Sequence, residues 1–348
     1  MRFKTVSSPH RISSSSITKV MLKVLAALLP GIVALSYFFG WGVLTNILIA
    51  VPLALAAEAS ILLMRKRPLK PALSDLSIVV TAVLLAVAIP AASPLWMIAV
   101  GIIFATVFGK QLYGGLGFNP FNPAMIGYVV LLISFPVQMT QWPAAHGING
   151  AEAVSLLDTL RYVTGGSLPI DIDAYTGATA LDFTKTQLSQ SLMLSEFSDA
   201  AVYGSLGAQA WEWISAAFAL GGIALILLRV MPWHAPIAML VSLFIVAEVF
   251  SIYDADNFPG GLFHLFSGGV MLGAFFIITD PVSGCTSNRG RLVFGALTGL
   301  LIYVIRTWGN YPDGIAFSVL LANMCAPMID YYSKPRVFGR REKAEKRG

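Results

Sequence analysis

Ten apolar runs punctuate the chain, at about 20–39, 43–64, 76–92, 95–112, 124–137, 211–228, 236–252, 261–278, 291–305 and 314–330. Most approach the about 20 residues an α-helix needs to cross about 30 Å of hydrocarbon. None alternates with the period of two that marks a barrel strand. Because only helices and closed barrels satisfy their own backbone inside lipid, the pattern predicts an all-α integral membrane protein with about ten transmembrane helices. The 124–137 run is the shortest, and Pro136 begins its exit. The runs divide the chain into an N-terminal segment 1–19, a first five-helix half 20–137, a large loop 138–210, a second five-helix half 211–330 and a basic tail 331–348. An odd number of crossings per half inverts one half relative to the other.

Composition agrees, with 56% hydrophobic and 12% charged residues among 348, against roughly 25% charged in a soluble domain. The polar, serine-rich start is too long for the n-region of a signal peptide, so the first run is expected to remain in the mature protein. Charge then sets orientation, since short cytoplasmic loops are enriched in Lys and Arg. Basic residues gather at Arg2, Lys4, Arg11 and Lys19, at Arg65, Lys66, Arg67 and Lys70, at Lys110, Arg229, Arg289 and Arg291, and from Lys334 to Arg347. Placing these in the cytoplasm makes the alternation self-consistent, with both termini inside and Arg306 a solitary exception on the outer side. The net charge of +5 is thereby a sidedness signal. A nucleic-acid surface would need a soluble basic patch interleaved with aromatics, and the sequence has none. Cys285 and Cys325 stand far apart without a CxxC or Cys/His cluster, which excludes a metal framework and leaves both as structural thiols.

Three Gly/Pro-rich segments interrupt the hydrophobic pattern. The first, FGKQLYGGLGFNPFNPAM at 108–125, carries Gly114, Gly115 and Gly117, which allow close backbone approach. Asn119 and Asn122 each precede proline, which biases them towards extended backbone with side-chain amides free to hydrogen-bond. The segment reads either as the wall of a planar-ring pocket or as a tight re-entrant connection. Its Gly-x-x-Pro-x-x-x-Ala-apolar spacing, Gly117 to Met125, returns in GNYPDGIAF at Gly309 to Phe317, an echo expected of an internal repeat. The second, TDPVSGCTSNRGR at 279–291, sets Asp280 where an apolar run stops, either on an ion path or as a cap or partner for Arg289. Glu58 and Glu248 inside the second and seventh runs either snorkel or pair. His264 reads as a satisfied interior histidine, since no second metal ligand has suitable spacing. The third, DAYTGATALD at 173–182, lies in the loop: bare, it is an ordinary polar turn, although Gly177 and Ala178 leave the Thr179 hydroxyl open to a modifying enzyme.

Taken in order, GGLGFNPFNPAM, the TGAT box, TDPVSG with NRGR, and YPDGIAF resemble the D subunit of the Rnf (Rsx) electron-transport complex, a relative of the B subunit of the sodium-translocating NADH:quinone oxidoreductase. The resemblance spans essentially the whole chain. It implies that Thr179 carries covalent FMN through a phosphoester. Asp173, Thr176, Gly177 and Ala178 would form the box that a flavin transferase reads; Thr176 stands where serine is common. It implies a second, noncovalent flavin, riboflavin, for which Gly114, Gly115, Asn119 and Asn122 are the candidate neighbours. The partners it implies are the A, B, C, E and G subunits in a bacterial inner membrane, joined in a translocase that couples ferredoxin/NAD(H)-type electron transfer to Na⁺ or H⁺ movement. No GxGxxG fingerprint follows a predicted strand and no cluster-binding cysteines appear, so nicotinamide and iron–sulfur chemistry would belong to those partners. The rival readings are a secondary transporter or channel built on an inverted repeat, and a passive membrane scaffold.

Overall fold

The structure is a computed structural model that describes residues 16–146, 154–167, 175–311 and 313–333. Among these residues the regular structure is helical, with no strand beyond two isolated bridges. Every apolar run is helical: α1 Ile17–Phe39, α2 Gly42–Met64, α3 Ser77–Ala88, α4 Leu95–Thr106 continued by a π turn Val107–Gln111, and α5 Pro123–Ser134. The second half holds α6 Gln209–Leu227, α7 His234–Tyr253, α9 Asn288–Trp308 and α10 Ile315–Ser333. Between α7 and α9 lies α8, broken into Gly261–Phe266 and Val270–Leu272, the latter running on as a π turn Gly273–Ile277. Six of these helices, α1, α2, α6, α7, α9 and α10, are long and apolar enough to cross a membrane unaided. The expectation of ten crossing helices thus resolves into six full-length helices and four shorter or interrupted ones.

The short helices survive because protein, not lipid, surrounds them. α3 has 12 residues, SIVVTAVLLAVA, about 18 Å at 1.5 Å per residue, short of the hydrocarbon thickness. Its Val, Ile and Thr content would favour a strand in water. Here nearly every residue is buried, and a helix satisfies its backbone within the segment. Where α3 ends, a neighbour takes over: Asn46 of α2 donates Nδ2 to Pro90 O at 2.8 Å and accepts from Ser93 N at 3.1 Å. The break in α8 is handled in the same way. Arg306 of α9 donates to His264 O at 2.7 Å and to Ser267 O at 3.0 Å, supplying the carbonyls that an interrupted helix leaves orphaned.

The halves repeat one another's packing. α2 rests on α3 and α4, and α4 on α5; α7 rests on α8 and α9, and α9 on α10. Across the seam α1 lies on α6 and α5 on α10. Close seams need glycine: a Cβ on Gly221 would collide with Ala27 O of α1, so α6 approaches at a distance only a missing side chain permits. The third helix of each half also follows a short helical piece and a three-residue break, after Leu69–Leu73 in one case and Gly261–Phe266 in the other. A left-handed residue lies in each break, Leu76 at φ +61° and Gly268 at φ +70°. A basic side chain from the fourth helix of each half reaches this place, Lys110 onto Ser77 just after the first break and Arg306 onto Ser267 in the second. The echo in sequence is looser than this. Gly117 adopts φ +95° and Gly309 φ −76°, and Pro312 lies outside the described residues. What recurs is a side-chain cap at the start of the fifth helix: Asn122 on α5 and Asp313 on α10.

Helix ends sort onto two faces. Val20, Ser77, Lys110, Asn122, Leu225 and Arg291, from α1, α3, α4, α5, α6 and α9, surround one cavity. Leu35, Val87, Leu132, Trp211, Gly268 and Ile315, at the opposite ends, surround another together with Thr179. The first is the basic face, as the alternation of runs requires; the second is the loop face. The chain ends that were expected inside, 1–15 and 334–348, lie outside the described residues.

Candidate functional site: two cavities on opposite faces

At the loop face the TGAT box is extended backbone, not a turn. Ala144 N donates to Tyr175 O and Gly177 N to Trp142 O, each at 2.9 Å, pinning Thr176 and Gly177 along residues 142–144 as an antiparallel bridge. Gly177 is therefore small without being left-handed; its missing Cβ would stand 3.4 Å from Ala144. The chain then enters the helix Ala180–Ser189, of which Thr179 is the N-cap, its hydroxyl accepting from Asp182 N at 3.3 Å. Ala178 is exposed and Thr179 half-buried. Asp173, the remaining member of the box, lies outside the described residues.

An ammonium fastens that helix to the second half. Lys185 donates to Arg306 O at 3.2 Å, to Tyr311 O at 2.8 Å and to Gly309 O, the carbonyl-rich end of α9 where a cation is favoured. Burial lowers the Lys185 pKa, and Asp182 one turn earlier raises it; Asp182 is pushed up by burial and pulled back by Lys185. Beneath Thr179 opens a cavity of ≈ 90 Å³ between the halves, walled by Trp142, Trp211, Ser215, Leu272, Asp182 and Asp313, among others. Ser215 Oγ is buried without a hydrogen-bond partner.

The basic face holds a larger cavity of ≈ 350 Å³. Asn119, Asn122 and Asp280, far apart in sequence, meet in its wall, joined by Lys110, Ser77 and Arg291. Their side chains are differently engaged. Asn122 is engaged at both ends of its amide: Oδ1 caps α5 on Ala124 N at 3.0 Å and Met125 N at 3.3 Å, and Nδ2 donates to Ile277 O at 3.1 Å. Its backbone N–H donates to Asn323 Oδ1 at 3.1 Å, so the residue staples α5 to α8 and α10, and its amide, expected to be free, is not. Asn119 donates Nδ2 to Phe121 O at 3.0 Å while its buried Oδ1 has no partner. Gly114 and Gly115 form the turn beside the cavity at φ +121° and +105°, a conformation side chains resist, and do not line it. Asp280 accepts from Ser283 N at 3.0 Å and Ser283 Oγ at 2.7 Å, so it caps its own turn and forms no ion pair with Arg289 among the described residues. Burial raises its pKa against the lowering effect of those bonds.

The match to known sequences is continuous over this architecture: residues 4–339 fit the model of the NQR2, RnfD, RnfE family. The chain belongs to that family. Curated relatives match it over 97–98% of its length. The chain is 48% identical over 98% of its length to the whole of a protein of Aliivibrio salmonicida, and 49% identical over 97% to the whole of one from Vibrio cholerae. It is 51% identical over 98% of its length to one from Ectopseudomonas mendocina, of which it covers 97%. All three relatives are named as the D subunit of an ion-translocating oxidoreductase complex.

Within this member of the NQR2, RnfD, RnfE family, three charged side chains find partners that the sequence did not name. Glu58 is buried, pairing with Lys110 Nζ at 2.6 Å and accepting from Gln111 Nε2 at 2.7 Å; it pairs instead of snorkelling. Arg306, solitary in sequence, ties three elements together: besides the α8 carbonyls it donates Nε and Nη2 to Asp313 Oδ1, each at 3.2 Å. Glu248 accepts from Gly261 N at 2.8 Å and so caps the first piece of α8. His264 is interior, but neither ring nitrogen has a hydrogen-bond partner, so burial is not accompanied by the satisfaction expected. No group of three or more His, Cys, Asp or Glu gathers among the described residues, and both thiols are free.

Proposed function

We propose that the chain is the flavin-carrying membrane subunit of a multi-subunit ion-translocating oxidoreductase in a bacterial inner membrane, with FMN joined to Thr179 by a phosphoester. The loop face is then periplasmic and the basic face cytoplasmic, in keeping with the positive-inside rule. One observation carries the reading: Thr179 is at once accessible, the N-cap of a helix and part of the wall of an aromatic-lined cavity. A phosphate esterified there meets unsatisfied N–H groups and the positive end of the helix dipole. At ≈ 90 Å³ the cavity is smaller than the about 300–1,000 Å³ of ordinary ligand pockets, so it suits the edge of a tricyclic ring and not the whole. Bound FMN would supply electron carriage; Thr179 would anchor it, and Trp142 and Trp211 would exclude water from the ring edge.

The larger cavity suits a second, noncovalent flavin such as riboflavin. Asn119 Oδ1 is an orphaned acceptor for a ring N–H, and Lys110 and Arg291 line the same wall. Electron flow of the ferredoxin/NAD(H) type, coupled to Na⁺ or H⁺, would involve the A, B, C, E and G subunits, with a flavin transferase for maturation. A secondary transporter is the weaker reading. Discontinuous transporter helices offer their freed carbonyls to a moving ion, whereas here the chain's own Arg306 takes those of α8.

Native chain, denatured and separated by electrophoresis, is expected to keep flavin fluorescence, and Thr179→Val to lose it completely. Fluorescence that survives in the variant moves the link elsewhere; none in material from a host that makes the transferase rejects the covalent flavin. Asp280→Asn in the assembled complex is expected to lower ion pumping into sealed vesicles at least several-fold more than electron transfer. Equal effects on both would remove Asp280 from the ion path.

A further inference from the structure

The cavity beneath Thr179 has one acidic wall fixed in place from behind. Asp313 Oδ1 accepts from Arg306 twice and from Ile315 N at 3.3 Å. Its other oxygen, Oδ2, has among the described residues only Gly269 N, at 3.4 Å, beyond the ordinary range for such a bond. The carboxylate side chain keeps 23% of its exposure while the Arg306 side chain keeps 1%. The ion pair is thus polarised, with its anionic end towards the cavity and its cationic end in the protein. Gly268 holds the approach open: a Cβ there would lie 2.8 Å from Asp313 Oδ2 and 2.8 Å from Leu181 Cδ1. Leu181 is in the first turn of the helix that Thr179 caps. The carboxylate therefore stands across one glycine from the turn that bears the attachment hydroxyl.

We infer that Asp313 sets the reduction potential of the flavin carried on Thr179, with Arg306 as the residue that positions it. The inference rests on the proposed covalent flavin. Two electrons and one proton turn the neutral oxidised ring into a reduced ring bearing one negative charge. A carboxylate aimed at the ring edge opposes that charge and holds the potential down. Replacing Asp313 by Asn removes the opposition, leaves Arg306 uncovered and makes the ring easier to reduce.

The full chain, co-produced with a flavin transferase, is reduced stepwise by dithionite with redox mediators at a monitored potential, buffer supplying the proton, and the mass of the Thr179 peptide is read on the same sample. At the wild-type midpoint the ratio of reduced to oxidised flavin is expected to rise about fourfold or more in Asp313→Asn, the factor for one unit charge across about 10 Å at an effective dielectric near 40. Asp313→Glu, which keeps the charge, is expected to stay near wild type. Asp313→Ser carries the same expectation as Asn and serves if Asn does not fold. An unchanged ratio in the uncharged variants with the adduct present overturns the inference, as does an equal shift in Asp313→Glu. A native chain without the adduct rejects the covalent reading and this inference with it, and mass alone reports that outcome.

Discussion

Lys110→Met is expected to destabilise the fold by about 3–5 kcal/mol, because it strands a buried carboxylate. Glu58 is fully buried in α2 and its Oε1 takes both available donors, Lys110 and Gln111; Oε2 has none. Removing the ammonium leaves the Gln111 amide facing an anion that water cannot reach. Replacing both partners is a different matter, since apolar substitution of a whole buried pair is often neutral or stabilising. Glu58→Leu combined with Lys110→Met is accordingly expected to recover most of the loss, with a coupling energy of about 2–3 kcal/mol. Reversible unfolding in mild detergent, followed for both single variants and the pair, measures the cycle. A double variant as unstable as Lys110→Met alone would show that the ammonium acts through Ser77 of α3, to which it also donates at 2.8 Å, and not through Glu58.

Arg306→Met is expected to cost about 3 kcal/mol or more. It strips donors from His264 O, Ser267 O and Asp313 together, and each buried acceptor left unpaired costs about 1–3 kcal/mol. The loss falls on one place, the interruption of α8, so its signature is local: backbone exchange at Gly268–Val270 is expected to accelerate well before that of α9. Arg306→Lys should recover only part of the stability, since a single ammonium cannot present the planar fork that spans two carbonyls and a carboxylate. Hydrogen-exchange mass spectrometry of the three proteins reports both effects. Wild-type exchange at the interruption in Arg306→Met would mean that the helix ends there are satisfied by other groups.

The ten helical elements were legible because lipid-facing and interior residues alike are apolar, and hydropathy registers both. Interruptions were not. Ser267–Gly269 lies within an apolar run, and three residues hardly move a window of about 19. The π turn at Val107–Gln111 has no propensity signature, yet the extra residue it inserts helps decide that Lys110 and Gln111 both meet Glu58. Counting loop charges found the basic face but treated Lys110 and Arg306 as solvent-facing, whereas both are buried. At the cavities, Asn119, Asn122 and Asp280 were recognisable as unusual polar residues at helix boundaries, and the fold gathers them. Their individual engagement was not recognisable: the Asn122 amide is spent on a cap and a seam, which depends on Ile277 in the other half.

The three carbonyls gathered by Lys185 have a consequence for whatever Thr179 bears. A helix tied at Lys185 to the transmembrane scaffold holds its N-cap in place, so on the proposed reading Thr179 is a fixed anchor and not a shuttle. On the proposed reading, donor and acceptor would have to come to the flavin's anchor, and the gap over which an electron hops would be set once, when neighbouring subunits dock.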